Sequence, residues 1–378
     1  MNFGILVTLA LGLMVPARLP MLYFRLRTPM TTDSHHLDRL ADALLRADWT
    51  AVAERATTWI AELSRQGAHD PRPYFAQNVA QLIQGAFGEA WRSHEKALQE
   101  EKDIAAVRAW VDQMTEAHPK EATIHLVAGL FLAQSGQSEQ SMERYRQAAA
   151  LVPQMPQPHY FLGQIHERAG QTELAIKAYR EAVKLDPAYL PARMNLGVAY
   201  QEQGRVEMAI PQYREILRQN PNDPMAHANL ACALAEQGKL EPALLEYKEA
   251  LRLNPHDAPT HFALAAIYEA KGRQDLVMKC YQDAVEADPD FSPAHTAMGW
   301  VLLNKGRIPE SMEAFNRAVR ANPNDADAYY GIGRVYAIRR KKEAAWENYS
   351  KALKIEKDPD KKSKIMTHLF KEGGTWDV

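Results

Sequence analysis

The chain has 378 residues, 46% of them hydrophobic and 24% charged, with a formal net charge of -2. That is ample apolar material for a folded core, and the near-neutral balance argues against a globally basic nucleic-acid binder. The two cysteines, Cys232 and Cys280, form no CxxC, so neither a disulfide framework nor a zinc cluster is written in the sequence.

The first stretch, MNFGILVTLALGLMV, is apolar from Phe3 to Val15; Arg18, Arg25 and Arg27 follow, and no acidic residue precedes Asp33. Such a run spans roughly 20 Å as a helix, short of the ~30 Å hydrocarbon core of a bilayer. Extending it to Phe24 supplies the length but includes Arg18, which costs up to ~3 kcal/mol at the bilayer centre and less if it snorkels from one end. A secretory signal carries its positive charge ahead of the apolar run. Here the arginines come after it, so the positive-inside rule places the bulk of the chain in the cytoplasm. Residues 1–30 are therefore expected to be an uncleaved anchor or membrane-lying segment. It would put the protein at the inner (cytoplasmic) membrane with the rest facing the cytoplasm. Two alternatives stay open: a cleaved signal and a periplasmic protein, or a start codon placed too early and a soluble cytoplasmic one.

Residues 34–121 carry two degenerate helical units. The first has Leu40, Ala41, Leu44, Ala53 and Ile60 with Asp48 at the turn, and the second has Gly85, Ala90, His94 and Ala97; an additional helix is expected over 103–118. From 122 to 359 the pattern becomes strict. Prolines stand at 119, 153, 187, 221, 255, 289 and 323, and glycines at 136, 170, 204, 238, 272 and 306, all on a period of 34. Tyr145, Tyr179, Tyr213, Tyr247, Tyr281, Phe315 and Tyr349 form one column; Ala148, Ala182, Ala250, Ala284, Ala318 and Ala352 form another, with Ile216 in the gap. Each unit reads as two amphipathic helices. A glycine that can take the left-handed conformation ends the first helix, and a proline closes the second.

On these columns the unit resembles the tetratricopeptide repeat, a 34-residue helix-turn-helix. Seven units run in phase, beginning near Ala122, Pro156, Leu190, Pro224, Ala258, Ser292 and Ala326; the last replaces its turn glycine with Arg340 and its closing proline slips to Pro359. The resemblance implies an all-α, right-handed superhelical solenoid of antiparallel helix pairs. Residues 360–378 supply a capping helix, with Ile365, Met366, Leu369 and Phe370 on one side and lysines elsewhere, and a tail.

Five histidines (125, 159, 227, 261 and 295) share the same 34-residue step. Equivalent positions in neighbouring repeats lie roughly 10 Å apart, since helices pack 8–10 Å from one another. Metal ligation needs nitrogens about 2.0–2.1 Å from one ion, so these histidines cannot share a metal and are expected to pack between helices.

The resemblance also implies that the first helix of each repeat lines a concave groove. The groove positions are then Leu126, Tyr160, Met194, Ala228, Phe262, Thr296 and Tyr330, with Trp300 and Arg334 among the residues one turn further on. Asn195 and Asn229 match the asparagine ladder with which O-linked N-acetylglucosamine transferase repeats hold peptide backbones, although other residues fill the remaining rungs. No lysine occupies the positions of a clamp for acidic chaperone tails. The partner-binding set is Leu126, Tyr160, Met194, Asn195, Asn229, Phe262, Trp300 and Tyr330, with the alternative that some of them fill the seam between helices. A basic row, Arg205, Lys239, Arg273, Arg307 and Lys341, follows the turn glycines and is expected to complement the macrodipole of the preceding helix.

No GxSxG, HExxH, P-loop or GxGxxG is present. We therefore expect a bacterial-type protein without catalysis, cofactor, metal, nucleic acid or small-molecule substrate. It would act as a protein–protein interaction scaffold that takes an apolar or amphipathic helix, or an extended peptide, and recruits or assembles the subunits of a complex. Two alternatives stand beside this. One is a permanent subunit of a membrane complex, using Trp49, Trp59, Trp91 and Trp110 as a second interface; the other is an accessory presenting substrates to a partner enzyme.

Overall fold

The structure, a computed structural model, describes residues 34–66, 68–83, 93 and 101–371. Among these residues there are nineteen helices and no strand. The apolar segment 3–15, the expected second helix around Gly85, Ala90, His94 and Ala97, and the tail after Lys371 lie outside the described residues.

The N-terminal region contributes α1 (Ser34–Leu45), α2 (Trp49–Gln66), α3 (Pro71–Ile83) and α4 (Glu101–Ala117). The regular array follows as pairs: α5 (Ala122–Gln134) with α6 (Ser138–Leu151), α7 (Pro156–Arg168) with α8 (Thr172–Leu185), α9 (Leu190–Glu202) with α10 (Val206–Gln219), and α11 (Pro224–Glu236) with α12 (Leu240–Leu253). Then come α13 (Ala258–Ala270) with α14 (Gln274–Ala287), α15 (Ser292–Asn304) with α16 (Ile308–Ala321), and α17 (Ala326–Ile338) with α18 (Lys342–Ile355); α19 (Pro359–Lys371) is last. Among the described residues no helix is long and apolar enough to cross a membrane.

The turn inside each pair shows why the glycine column exists. Gly204 has φ +70°; Arg205 N–H donates to Tyr200 O at 2.8 Å and Gly204 N–H to Gln201 O at 2.9 Å. These two bonds satisfy carbonyls that the helix end would leave open, and they require a left-handed residue. Arg340 occupies this position in the last repeat at φ 56°, with Lys341 N–H on Tyr336 O at 3.0 Å. A non-glycine residue there costs about 1–2 kcal/mol.

Within a pair, the small residue of the first helix admits the aromatic ring of the second. A Cβ on Gly163 would collide with the Tyr179 ring. The tyrosines of this column and the alanines three residues on are buried throughout, as is Ile216. This apolar seam is the core of each repeat.

The chain divides into two compact units between Gln212 and Tyr213, inside α10. That helix also contains Pro211 in its interior, which removes a backbone donor from the ladder.

At the start of the array, α5 departs from the amphipathic pattern. Its sequence ATIHLVAGLFLAQ is apolar nearly all round, and every residue from Ala122 to Phe131 is buried. A helix of that kind must be covered on all faces, and α1 and α4 pack against it. Phe75 meets Phe131 edge-on at 5.7 Å, the Arg108 guanidinium lies over the Phe131 ring at 5.4 Å, and Gln134 Nε2 donates to Asn78 Oδ1 at 2.7 Å.

Candidate functional site

The face of the first helices is the candidate surface, and the structure divides its residues into two classes. Leu126, Tyr160, Asn229, Phe262 and Tyr330, expected to line a groove, are 0%, 1%, 3%, 3% and 5% exposed. In this structure they are interior residues, at the seam between helices. Met194, Asn195 and Trp300 are half-buried.

The reason lies in a pairing that spans 29 residues. Tyr189 closes the repeat that Tyr160 opens, and stands edge-on to it at 5.4 Å and 85°. Phe291 does the same to Phe262 at 5.7 Å and 73°. Where the earlier residue is Thr296, the later one is Asp325: Thr296 Oγ1 donates to Asp325 Oδ2 at 2.7 Å, and the other carboxylate oxygen caps α17 by accepting from Ala328 N–H at 2.9 Å. Asp223 and Asp257 likewise cap α11 and α13, each 29 residues after Met194 and Ala228 in the sequence. So an aromatic side chain on the first helix is roofed by an aromatic one, and a small or flexible side chain is matched with a capping aspartate. The pairing is present in the sequence, but a reading by repeat columns alone does not reveal it. Leu126 belongs to α5, against which α1 and α4 pack, and Tyr330 meets His368 of α19, with ring centroids 5.6 Å apart and its hydroxyl 3.1 Å from Nδ1.

One turn further along the first helices, Gln164 on α7, Val198 on α9, Trp300 on α15 and Arg334 on α17 are half-buried, whereas Leu130, Cys232 and Ala266 are buried. In the unit ending at Gln212, a polar network lies beside Gln164. Gln164 Nε2 donates to Tyr160 Oη at 2.9 Å, Tyr179 Oη donates to Glu167 Oε2 at 2.8 Å, and Asn195 Nδ2 donates to Tyr179 Oη at 3.2 Å. Burial pushes the Glu167 carboxyl above its ordinary range, and the nearby Glu202 carboxylate adds to the shift. Asn195 thus spends a donor inside the fold, and the buried Asn229 has an internal interaction of its own. In the unit beginning at Tyr213, Trp300 packs edge-on to Phe315 at 5.2 Å and tilted on Tyr330 at 5.4 Å. Arg334, at the equivalent position one repeat on, has no ion-pair partner among the described residues.

The periodic histidines brace the inter-repeat turns. Nε2 of His125, His227, His261 and His295 lies 2.9, 3.0, 2.9 and 2.9 Å from the carbonyl of Pro119, Pro221, Pro255 and Pro289, six residues back. Arg193 does the same with its Nε, donating to Pro187 O at 2.9 Å. The helix before each turn ends with unpaired carbonyls, and a donor on the next helix reaches the turn from a fixed distance. His159 is half-buried, and burial lowers its pKa.

The basic row has a different setting from the one expected. Lys239, Arg273, Arg307 and Lys341 are the residues immediately before the second helices, a helix end whose dipole disfavours cations. Neighbouring carboxylates compensate: Arg205 bonds Glu173 at 2.6 Å, Arg273 pairs with Asp275 at 3.3 Å and Arg307 Nε donates to Glu310 at 2.8 Å. Of the four tryptophans read as a second interface, Trp59 and Trp110 are buried, Trp49 is half-buried and Trp91 lies outside the described residues. Cys232 and Cys280 are buried; burial pushes the Cys280 thiol up to about 11, which keeps it an unreactive thiol at neutral pH.

Comparison with known proteins agrees with this geometry. Two tetratricopeptide-repeat family models match the chain, one over residues 126–189, 160–224, 194–258 and 296–361, the other over 234–300. A tetratricopeptide repeat protein from Parabacteroides merdae ATCC 43184 superposes with a TM-score of 0.55 at 16% identity, over 66% of this chain and 98% of that one. A chain of the APC/C hetero-tetramer Cut9-Hcn1 superposes at 0.54 with 14% identity, over 90% and 70%. At such identities these solved structures show the fold alone. No curated protein sequence matches. With family models spanning most of residues 126–361 and helix pairs, turns and seams built as described, the chain belongs to the tetratricopeptide-repeat family, whose arrays serve protein–protein interaction.

Proposed function

We propose that this protein is a non-enzymatic adaptor that holds a partner's helix or extended segment on the half-buried residues of its first helices, around Trp300 and Arg334. In this reading residues 1–30 keep it at the cytoplasmic membrane, with the repeats in the cytoplasm, where it recruits or assembles the subunits of a complex. The observation that carries the binding reading is the pair Trp300 and Arg334. They occupy equivalent positions in adjacent repeats, both half-buried, and Phe315 and Tyr330 pack against the Trp300 ring. An indole face takes an apolar side chain, and a guanidinium without an ion pair takes a carboxylate or carbonyl beside it.

The test is purification of tagged full-length protein from detergent-solubilised membranes, with mass spectrometry of what accompanies it, for wild type and for Trp300→Ala/Arg334→Ala. We expect the wild type to bring down a defined set of proteins. The double variant should keep its helicity, with a lower melting temperature from the lost Trp300 packing, while Arg334→Ala alone keeps both; each should lose most of the set, by at least tenfold, which corresponds to about 1.4 kcal/mol. An unchanged set would reject this surface. Near-equal amounts of fixed membrane subunits would favour a permanent subunit, and enzymatic activity appearing with one partner would favour an accessory role.

A further inference from the structure

The end of the array carries a charge excess that the net charge of the chain conceals. Between Arg334 and Lys371 there are twelve lysines and arginines against five aspartates and glutamates, in a chain whose formal net charge is -2. The excess is concentrated at the turn between α17 and α18, where Arg339, Arg340, Lys341 and Lys342 follow one another. None of the four has an ion-pair partner among the described residues, whereas the turn cations Arg205, Arg273 and Arg307 each bond a carboxylate.

Large apolar side chains surround the same turn. Ile338, the last residue of α17, is 51% exposed, and Trp346, one turn into α18, is 39% exposed. In the other repeats the position of Ile338 holds Gln134, Arg168, Glu202, Glu236, Ala270 or Asn304. Phe370, 55% exposed, belongs to the same edge. Lys361 at the start of α19 pairs with Glu356 just after α18, and His368 near its end lies 6.2 Å, ring to ring, from Tyr349 of α18, so α19 runs back along α18 toward the α17–α18 turn. A terminal cap of a repeat array normally turns a polar face outward; this one pairs unneutralised cations with exposed tryptophan, isoleucine and phenylalanine.

The backbone gives a second, independent indication. Arg340 takes φ 56° where six other repeats place glycine. A strained non-glycine residue is kept at a cost in stability, and the observed outlier points to a function for its side chain.

We propose that this edge, the α17–α18 turn with the end of α19, is a membrane-contact surface that takes anionic phospholipid headgroups. Clustered lysines and arginines meet the negative potential of the inner leaflet, and tryptophan and other large apolar side chains seat at the interfacial level. Arg339 also borders a concavity with Met312, Asn316 and Arg320 of α16, but Arg340, Lys341, Lys342 and Trp346 are not among its lining residues. The inference rests on the membrane-proximal reading of residues 1–30, to which it adds a second contact that orients the array.

The test uses the full-length protein with vesicles of phosphatidylcholine alone, or of phosphatidylcholine with phosphatidylglycerol. Hydrogen exchange is read locally over residues 334–346 and 366–371. Protection with the anionic vesicles only, weakened by salt, is the expected result. Arg340→Gly should raise the melting temperature, by removing the strain, while lowering this protection about fivefold; Arg339→Gln/Lys342→Gln should lower it roughly 25-fold, at about 1 kcal/mol per cation. Equal protection by neutral vesicles would overturn the proposal, as would vesicle-bound protein with no protection at these residues; in both cases the anchor reading survives. A full-length chain that binds neither vesicle overturns both. Stronger protection of the same residues by poly-glutamate than by anionic vesicles would also overturn it, and would assign the edge to an acidic protein.

Discussion

Glu167 is where a single side chain reports on the whole arrangement. Its carboxylate accepts the Tyr179 hydroxyl at 2.8 Å inside the repeat, and burial holds its pKa above the ordinary range. Well below that range the carboxyl is protonated in both folded and unfolded chains. As pH rises, the unfolded chain ionises first, so stability falls until the folded carboxyl ionises as well. Glu167→Gln keeps an acceptor for Tyr179 and removes the ionisation. Urea denaturation at a series of pH values should show the variant at least as stable as wild type at neutral pH, with a flatter profile between the carboxylate range and neutrality. A variant that is less stable at neutral pH with an unchanged slope would mean that the charge itself is needed. The histidine column teaches a related point. Its period and its burial between helices follow from sequence, but its bond to a proline carbonyl six residues back does not, because that bond depends on how the turn presents the carbonyl. The burial of Tyr160 and Phe262 was hidden for a comparable reason. Their partners Tyr189 and Phe291 lie in the linker before the next helix, where the repeat pattern assigns only a boundary.

Among the elements, α10 departs furthest from the repeat. Pro211 stands in its interior, Ile216 replaces the alanine of its column, and the boundary between the two compact units passes through it. A helix-interior proline costs up to ~3 kcal/mol relative to alanine. Pro211→Ala should therefore stabilise the chain and slow hydrogen exchange of the amides flanking residue 211 relative to those of α8 and α12. No change in either quantity would mean that the helix has already adapted to the proline elsewhere. Helix limits and pairing were legible because Gly204 and its equivalents stop one helix and the closing prolines permit the next. The cover over α5 was also written in the sequence, as a helix apolar nearly all round, yet a groove derived from column position alone left Leu126 facing outward. Column position describes a repeat within a regular stack, and α5 is the place where that stack begins.

At the scale of the molecule, the array is a set of like repeats with unlike ends. The first repeat is enclosed by α1 and α4, and the last is basic, with exposed apolar side chains. Ends that differ suit a protein that must be oriented with respect to something else, which links the adaptor reading to the proposed membrane contact. The central claim concerns the face that binds: the first helices around the half-buried Trp300 and Arg334. The most direct measurement is hydrogen exchange of the full-length protein with and without its co-purified partner. The account predicts added protection in the first helices of the array, strongest over residues 292–304 and 326–338 around Trp300 and Arg334. Protection confined to the second helices, with these segments unchanged, would contradict it.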